Sequence, residues 1–431
     1  MSIRTRTLFL VAACTTPATA FASGLQLRDF DPQSTGSAYV GGVTRANDPA
    51  TVMLNPAGMT DLEGMQLENN AYFVSPNVSF NARNVNAAGG LTSGSTSGHL
   101  ADPAAAGAAY GVLPLGPNWR IGWGLTSPFG GRIDYPSDWV GRYHSLVTSI
   151  TIFDATAAIA WRVNKHLSIA AGPQIAYGSA RFTEALNLGP AFDAGAGTIG
   201  EISGNGFAYG YIAGLLYKID DRTRIGINYR SRLQVNYWGK QQITTNNAIS
   251  AIPAIKNLLV SESGHVTTQA ALPDILSFGV EHRFGDRLTL RLEAEWSHNS
   301  LVQNLAFVSD HGVPTTTIPV PEQNSWFGGI SADYRFTPKL DAYGGFSYDE
   351  RATAVDQLTT RIPDTDRYTL SGGLSWQVAP RVKLSVGYAH IFTTPLNVAI
   401  TEASTVGSAG KLIGRYDPSA NVVNTGIAVR F

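Results

Sequence analysis

The sequence predicts an all-β fold: a transmembrane antiparallel β-barrel of about fourteen strands, plugged by a partly helical N-terminal hatch. Three observations carry that expectation. Long stretches alternate between apolar and polar residues, and successive strand side chains point to opposite faces. The composition is apolar without being helically apolar. Of 431 residues 44% are hydrophobic, 10% aromatic and 15% charged, and no run of 18 apolar residues follows the N-terminus. The chain also opens with a secretory leader, and its aromatics gather near strand ends, where a barrel meets the two water interfaces. A disordered chain would carry fewer aromatics and more charge. A net charge of −1 gives no electrostatic case for nucleic acid.

Residues 1–22 form the leader. Arg4 and Arg6 supply the basic region, Leu8 to Ala13 the apolar stretch, and Ala20-Phe21-Ala22 the cleavage site. Cys14 is the single cysteine and leaves with the leader, so the mature chain has no disulfide and no thiolate chemistry. Leu10-Val11-Ala12-Ala13-Cys14 also reads as a lipoprotein box that would acylate Cys14, with the later cleavage site better spaced.

Residues 23–64 break the two-residue period. Gly36, Gly41, Gly42, Pro49, Pro56 and Gly58 punctuate short helical stretches, while Leu27, Phe30, Val43, Val52, Met53, Leu54 and Met59 require burial. A hatch folded inside the barrel provides that burial.

The barrel is expected over residues 65–431, with strands near 67–82, 104–115, 117–127, 146–163, 166–186, 204–219, 222–240, 265–285, 287–303, 323–337, 338–351, 366–379, 381–395 and 420–431. In Arg287–Trp296, Leu288, Leu290, Leu292, Ala294 and Trp296 alternate with Thr289, Arg291, Glu293 and Glu295. A charge facing lipid at mid-depth costs about 2–4 kcal/mol, so Arg291, Glu293 and Glu295 must point into the lumen. The connections near 187–203, 241–264, 304–322 and 396–419 read as long outer loops, and the short turns as periplasmic.

Gly24-Leu25-Gln26-Leu27, Gly36-Ser37-Ala38-Tyr39, Asp48-Pro49-Ala50-Thr51 and Asn55-Pro56-Ala57-Gly58 follow one another in an order that resembles the long-chain fatty-acid transporter family (FadL/TodX type). Leu272-Pro273-Asp274, Ile362-Pro363-Asp364-Thr365-Asp366-Arg367 and the terminal Phe431 extend the resemblance over the mature chain. It implies a fourteen-stranded outer-membrane barrel closed by a hatch, taking up hydrophobic molecules without an energy source or cofactor. It also implies fatty acids or other hydrophobic molecules as ligands, surrounding outer-membrane lipid and lipopolysaccharide, and contact of the Phe431 strand with the barrel-assembly machinery. The hatch motif centres on Asn55, Pro56 and Ala57.

The family's ligand leaves sideways through a kinked third strand. The matching stretch is 121–131, with Gly122, Gly124, Pro128, Gly130 and Gly131 as candidate gate residues. Pro128 cannot donate to a ladder, and glycines permit a bulge; an ordinary strand end with a Gly-rich turn is the plainer reading. Candidate pocket walls are Met53, Leu54, Phe129, Tyr177, Phe182, Trp326, Phe346 and Tyr348. Arg181, Arg351 and Arg361 are available to a carboxylate. Ser179 and Gln323 stand where the fatty-acid transporter has its basic pair, which leaves aromatic hydrocarbons open as ligands. Leu188, Phe192, Ile249, Ile252, Ile255, Leu258 and Leu259 are apolar loop residues suited to capture. The alternative function is a general diffusion porin with a wet, charged lumen. No metal-ligand spacing, nucleophile elbow or phosphate loop occurs, and His298 beside Ser300 is the best available start for a hydrolase.

Overall fold

The computed structural model describes residues 26–189, 197–261, 263–301, 303–310, 314–401 and 408–431. The leader at 1–22, Gly24, Leu25, Phe192 and the side chain of Leu258 lie outside this description. Period-two sequence becomes one closed antiparallel sheet, in which fourteen strands are traced, several in two segments. They are β1 (Gln66–Val85), β2 (Ser97–His99, Ala104–Pro114), β3 (Trp119–Asp134), β4 (Val147–Arg162), β5 (Leu167–Leu186), β6 (Thr198–Lys218) and β7 (Thr223–Arg230, Leu233–Thr244). Then follow β8 (Gly264–Leu272, Ile275–Phe284), β9 (Leu288–Ser297, Asn304–Ser309), β10 (Pro314–Pro319, Ser325–Thr337), β11 (Leu340–Asp349), β12 (Arg367–Ala379), β13 (Val382–Thr393, Leu396–Ile400) and β14 (Lys411–Arg430). Closure is complete: β1 pairs with β14 from Gln66↔Arg430 to Val85↔Lys411. A closed sheet leaves no ladder edge in lipid.

The expected orientation holds residue by residue. Leu292 is 56% exposed on the outer face, while Arg291 and Glu295 are buried in the lumen. Trp119 and Trp161 stack at 5.3 Å on the outer face near the short-turn end. Trp238 and Trp326 are exposed on the outer face nearer the long-loop end.

All four segments expected as loops are partly strand. β6 begins at Thr198, β7 continues to Thr244, β13 continues to Ile400, β14 begins at Lys411, and Asn304–Ser309 pairs with Pro314–Pro319. The alternation fails there because these extensions meet no lipid. They enclose an apolar core of their own, with Phe80, Trp139, Leu396, Leu412 and Tyr416. Tyr135 ties it together, its hydroxyl bonded to Tyr416 and donating to Thr360 O. No helix among the described residues is long and apolar enough to cross a membrane.

Residues 26–62 pack against inward-facing wall positions. α1 (Pro32–Gly36) is N-capped by Asp31, whose carboxylate accepts from Ser34 N. α2 (Thr51–Leu54) leads into a 3-10 helix, Pro56–Asp61, capped by Asn55. The approach is so close that a methyl group at Gly387 would fall 2.0 Å from Pro32 O, and one at Gly226 2.2 Å from Val43 O. Glycine in these wall strands makes room for the N-terminal backbone.

Candidate functional site: an apolar cavity beside a broken ladder

β3 carries the irregularity that Pro128 announces. Its ladder to β4 runs in register to Thr126↔Asp154, then resumes at Phe129↔Ile152, so one extra residue bulges on β3. On its other side, β3 pairs with β2 only from Arg120↔Pro114 to Leu125↔Ala109. Beyond Leu125 the ladder to β2 stops, opposite the small residues Ala104, Ala105, Ala106, Gly107 and Ala108. The N-terminal strap fills the inner side of this break. Leu27 N donates to Pro128 O at 2.8 Å, and Gln26 bridges Phe129. The Leu27 side chain, 2% exposed, packs with Val74, Ala104 and Ala106.

The strap also reaches β9, β10 and β11. Gln26 Nε2 and Arg28 Nη1 both donate to Glu295 Oε1, at 2.8 and 2.5 Å, and Arg28 lies 4.1 Å over the Phe327 ring. Farther along, Gly41 N and Val43 N donate to Glu293 Oε2. Asp29 accepts from Tyr39 and Thr35, but burial outweighs these bonds and pushes its carboxyl up to about 6. Asn55 donates to Val43 O at 2.7 Å and to Leu215 O of β6 at 3.0 Å, so Asn55-Pro56-Ala57 is a cap and a wall anchor together.

Above the strap lies an apolar cavity open to solvent at its mouth. Phe129, Ile150, Phe182, Ile202, Tyr237, Leu272, Leu305, Phe307 and Ile318 are among its walls. β8 and β9 part beside it: the pairing leaves register after Thr267↔Val308 and resumes at Ile275↔Ser297. Two ionisable groups enter. Arg361 is buried, paired with Glu184 at 2.5 Å and 5.9 Å over the Phe182 ring, while its Nη1 has no hydrogen-bond partner among the described residues. Glu322 lies on the opposite lining, and burial, helped by the Asp364 charge, pushes its carboxyl up to about 8. A lining with so few polar groups suits a largely apolar molecule.

Of the residues the sequence nominated as walls, Phe129 and Phe182 line the cavity. Tyr177, Trp326, Phe346 and Tyr348 do not: they are 37%, 53%, 47% and 36% exposed on the outer face, because each occupies the outward parity of its strand. Met53 is buried among α2, Thr156 and Gln174, and Leu54 packs at the edge of the same cluster, both outside the cavity lining.

Gly122 and Gly124 sit in unbroken register, so they are not part of the bulge. A methyl at Gly122 would strike Met59 Sδ at 2.4 Å, and one at Gly124 would meet Tyr110 at 3.0 Å, so both glycines accommodate inward packing. Pro128 forms the bulge, Gly130 faces Leu27 Cδ1, and Gly131 is back in register with Ile150.

Arg181 is half-exposed and paired with Glu201 at 2.8 Å, and Arg351 engages Asp366 through its backbone N. Neither lines the cavity. In the loops, α3 (Asn247–Ser250) and α4 (Pro253–Ser261) turn Ile249 and Leu259 inward, whereas Ile252 is 36% exposed and Ile255 and Leu188 are half-buried. His298 bonds Asp274 at 3.2 Å, while Ser300 N bonds Asn324. Among the described residues no three His, Cys, Asp or Glu side chains group to hold a metal.

Sequence reasoning missed Glu322, Glu184 and the strap's part in the break. The strap had a signal, the Gln26-Leu27 pair at the head of the hatch motif; Glu322 had none, being one acid in a polar run.

The model of a family described as outer membrane protein transport protein (OMPP1/FadL/TodX) matches residues 12–431. The long-chain fatty acid transport protein of Escherichia coli O6:H1 (strain CFT073) is 22% identical over 90% of this chain and 91% of its own. A Pseudomonas aeruginosa FadL homologue superposes with a TM-score of 0.84 at 22% identity, covering 95% of this chain and 100% of that one. The toluene transporter TbuX of Ralstonia pickettii gives 0.66 at 18% identity over 94% and 99%. With the whole barrel and its N-terminal segment inside the match, this chain belongs to the OMPP1/FadL/TodX family of outer-membrane transport proteins.

Proposed function

We propose that this protein carries hydrophobic molecules, long-chain fatty acids or similar lipophiles, across the outer membrane by passive lateral diffusion. The ligand settles from the outer loops into the apolar cavity, its carboxylate, where it has one, on the free Nη1 of Arg361. It then leaves sideways between Ala104–Ala108 of β2 and Ser127–Gly131 of β3 once the strap withdraws Leu27. Residues 23–64 act as the hatch that denies water a straight path. One observation carries the reading: Phe129 is at once a cavity wall, the first residue back in register after the bulge and the bridge partner of Gln26. Cavity, strap and ladder break therefore meet at a single residue.

A diffusion porin needs a continuous wet lumen, and here the N-terminal segment packs against the lumen wall by backbone-to-glycine contacts. Relatives in the family are transporters, and His298 with Ser300 shares no hydrogen bond among the described residues. The experiment is uptake of a fluorescent long-chain fatty acid into vesicles whose bilayer holds the protein. Saturable uptake with almost no steady ionic current supports the reading. A large ohmic current with unsaturable passage of small sugars refutes it.

A further inference from the structure

A guanidinium taken out of water is destabilising unless acceptors surround it. Seven arginines among the described residues are buried: Arg28, Arg45, Arg142, Arg230, Arg291, Arg361 and Arg367. Six meet acceptors. Arg28 has Glu295, Arg45 has Asp31, Arg291 has Glu281 and Asp333, Arg361 has Glu184, and Arg367 has Asp349 and Asp364. Arg142 donates to the carbonyls of Ser93 and Trp139. Arg230 stands apart. It is 6% exposed, and among the described residues its guanidinium has no ion pair and no hydrogen bond, only the Phe30 ring at 5.5 Å.

Its two acidic neighbours are committed elsewhere. Glu295 Oε1 takes Gln26 and Arg28, and its Oε2 takes Ser277. Asp154 accepts from Thr156 at 2.5 Å and from Gln174 at 3.4 Å. Both carboxylates act on Arg230 through space, yet neither is an ion-pair partner.

The position gives the group a use. Arg230 pairs in register with Ile275, just below Leu272 and Pro273 of the cavity wall. The strap residue Phe30 covers it. On a neighbouring inward position the Thr126 hydroxyl, a possible donor, is buried without a partner among the described residues. Thr126 is the last residue in register before the bulge, opposite Asp154. An unpaired cation beneath an apolar cavity, with a free hydroxyl beside the ladder break, fits one anionic head on an apolar body.

We propose that Arg230, with the Thr126 hydroxyl, forms a second head-group site below the strap, which receives the ligand's carboxylate as the molecule passes from the cavity to the opening in β3. The inference rests on the conduit reading above and narrows its substrates to amphiphiles with a single negative charge. Arg361 holds the head while the strap is closed; Arg230 takes it when the strap has moved.

The test compares hexadecanoate with 1-hexadecanol, two chains of equal length, for uptake into vesicles containing the full-length protein. Arg230→Leu is expected to slow hexadecanoate at least tenfold while hexadecanol stays within twofold, and Arg230→Lys to restore most of the hexadecanoate rate. Equal losses of both ligands would make Arg230 a structural prop for Phe30 and overturn the proposal, as would an unchanged hexadecanoate rate. A wild-type protein that carries hexadecanol but not hexadecanoate also overturns it, leaving the conduit standing. One that carries neither refutes the conduit itself. If Arg230→Leu fails to give the heat-resistant folded band on a gel, Arg230→Gln replaces it, with the same outcomes.

Discussion

Replacing Leu27 with alanine tests the lateral exit most directly. Leu27 is 2% exposed, packed with Val74, Ala104 and Ala106, and its Cδ1 lies 3.7 Å from where a Gly130 methyl would stand. The change removes three carbons from a tightly enclosed site. Transfer alone is worth about 0.8 kcal/mol per carbon, and the residual cavity brings a buried Leu→Ala change to about 3 kcal/mol at the low end. The low end applies because one side of the site is a ladder break. The backbone bond from Leu27 N to Pro128 O is the same in both proteins, so the difference falls on the closed strap. About 3 kcal/mol is roughly a hundredfold in the opening equilibrium. If strap withdrawal limits transport, uptake of a fluorescent fatty acid into vesicles should accelerate at least tenfold before another step takes over. Leu27→Met, which nearly conserves volume, should remain within about threefold. An uptake rate for Leu27→Ala within twofold of wild type would show that the strap does not gate this exit, and the assignment of the β3 break would fall with it.

Deleting Pro128 removes the extra residue between Thr126 and Phe129, so the ladder should close and fatty-acid uptake fall by more than tenfold while the folded band on gels persists. Glu322, held near 8, is neutral at pH 7 and ionises as the pH rises through that value. A bound carboxylate then meets a second negative charge, and its affinity should drop by roughly tenfold between pH 7 and 9, the size of a one-unit coupling. A neutral alcohol should bind unchanged over that range, and Glu322→Gln should abolish the dependence; titrating ligand-induced tryptophan quenching reads all three. Removing residues 26–62 should convert a nearly silent barrel into a steady conductor in a planar bilayer, whereas unchanged conductance would mean that these residues do not block the lumen.

How much of this was legible depends on where lipid imposes a rule. From Leu288 to Trp296 the acyl chains demand an apolar outer face, and the resulting alternation gives strand, orientation and lumen charge from sequence alone. Above the membrane the demand lapses. Leu396–Ile400 and Lys411–Ala420 pair just as well, yet they mix Asp, Gly and Pro with apolar residues and read as loop. The wall assignments failed for a related reason. Parity gives the face, but aromatic bulk does not mark pocket lining: Tyr177, Trp326, Phe346 and Tyr348 stand on the lipid side. A barrel this full needs small residues inward, so bulk marks the outside. Gly122 and Gly124 misled in the same way: a strand glycine signals a bulge or a close neighbour, and only the three-dimensional contact with Met59 and Tyr110 decides which. Pro128 is the stronger signal because a missing N–H has no packing explanation, yet in sequence it fits a strand end as well as a bulge.

The distribution of charge also determines which part of the N-terminal segment can move. Asp61 gathers Arg162, Lys218 and Arg224, Lys383 holds Asp48, and Glu293 takes two backbone N–H groups. Parting a fully buried pair by withdrawing one member costs about 3–5 kcal/mol; these partly solvated pairs cost less each, but expelling residues 31–62 whole would part all of them at once. Passive transport supplies no such energy. Residues 26–28 are different: they hold through one buried leucine, one backbone bond to Pro128, a bridge to Phe129, and Gln26 and Arg28 on Glu295. Arg28 can keep Asp349, 3.6 Å away, when Glu295 is released. In the proposed conduit the short strap is therefore the piece that withdraws, and the same lumen charges that the outer face forbids would keep the rest of the segment in place.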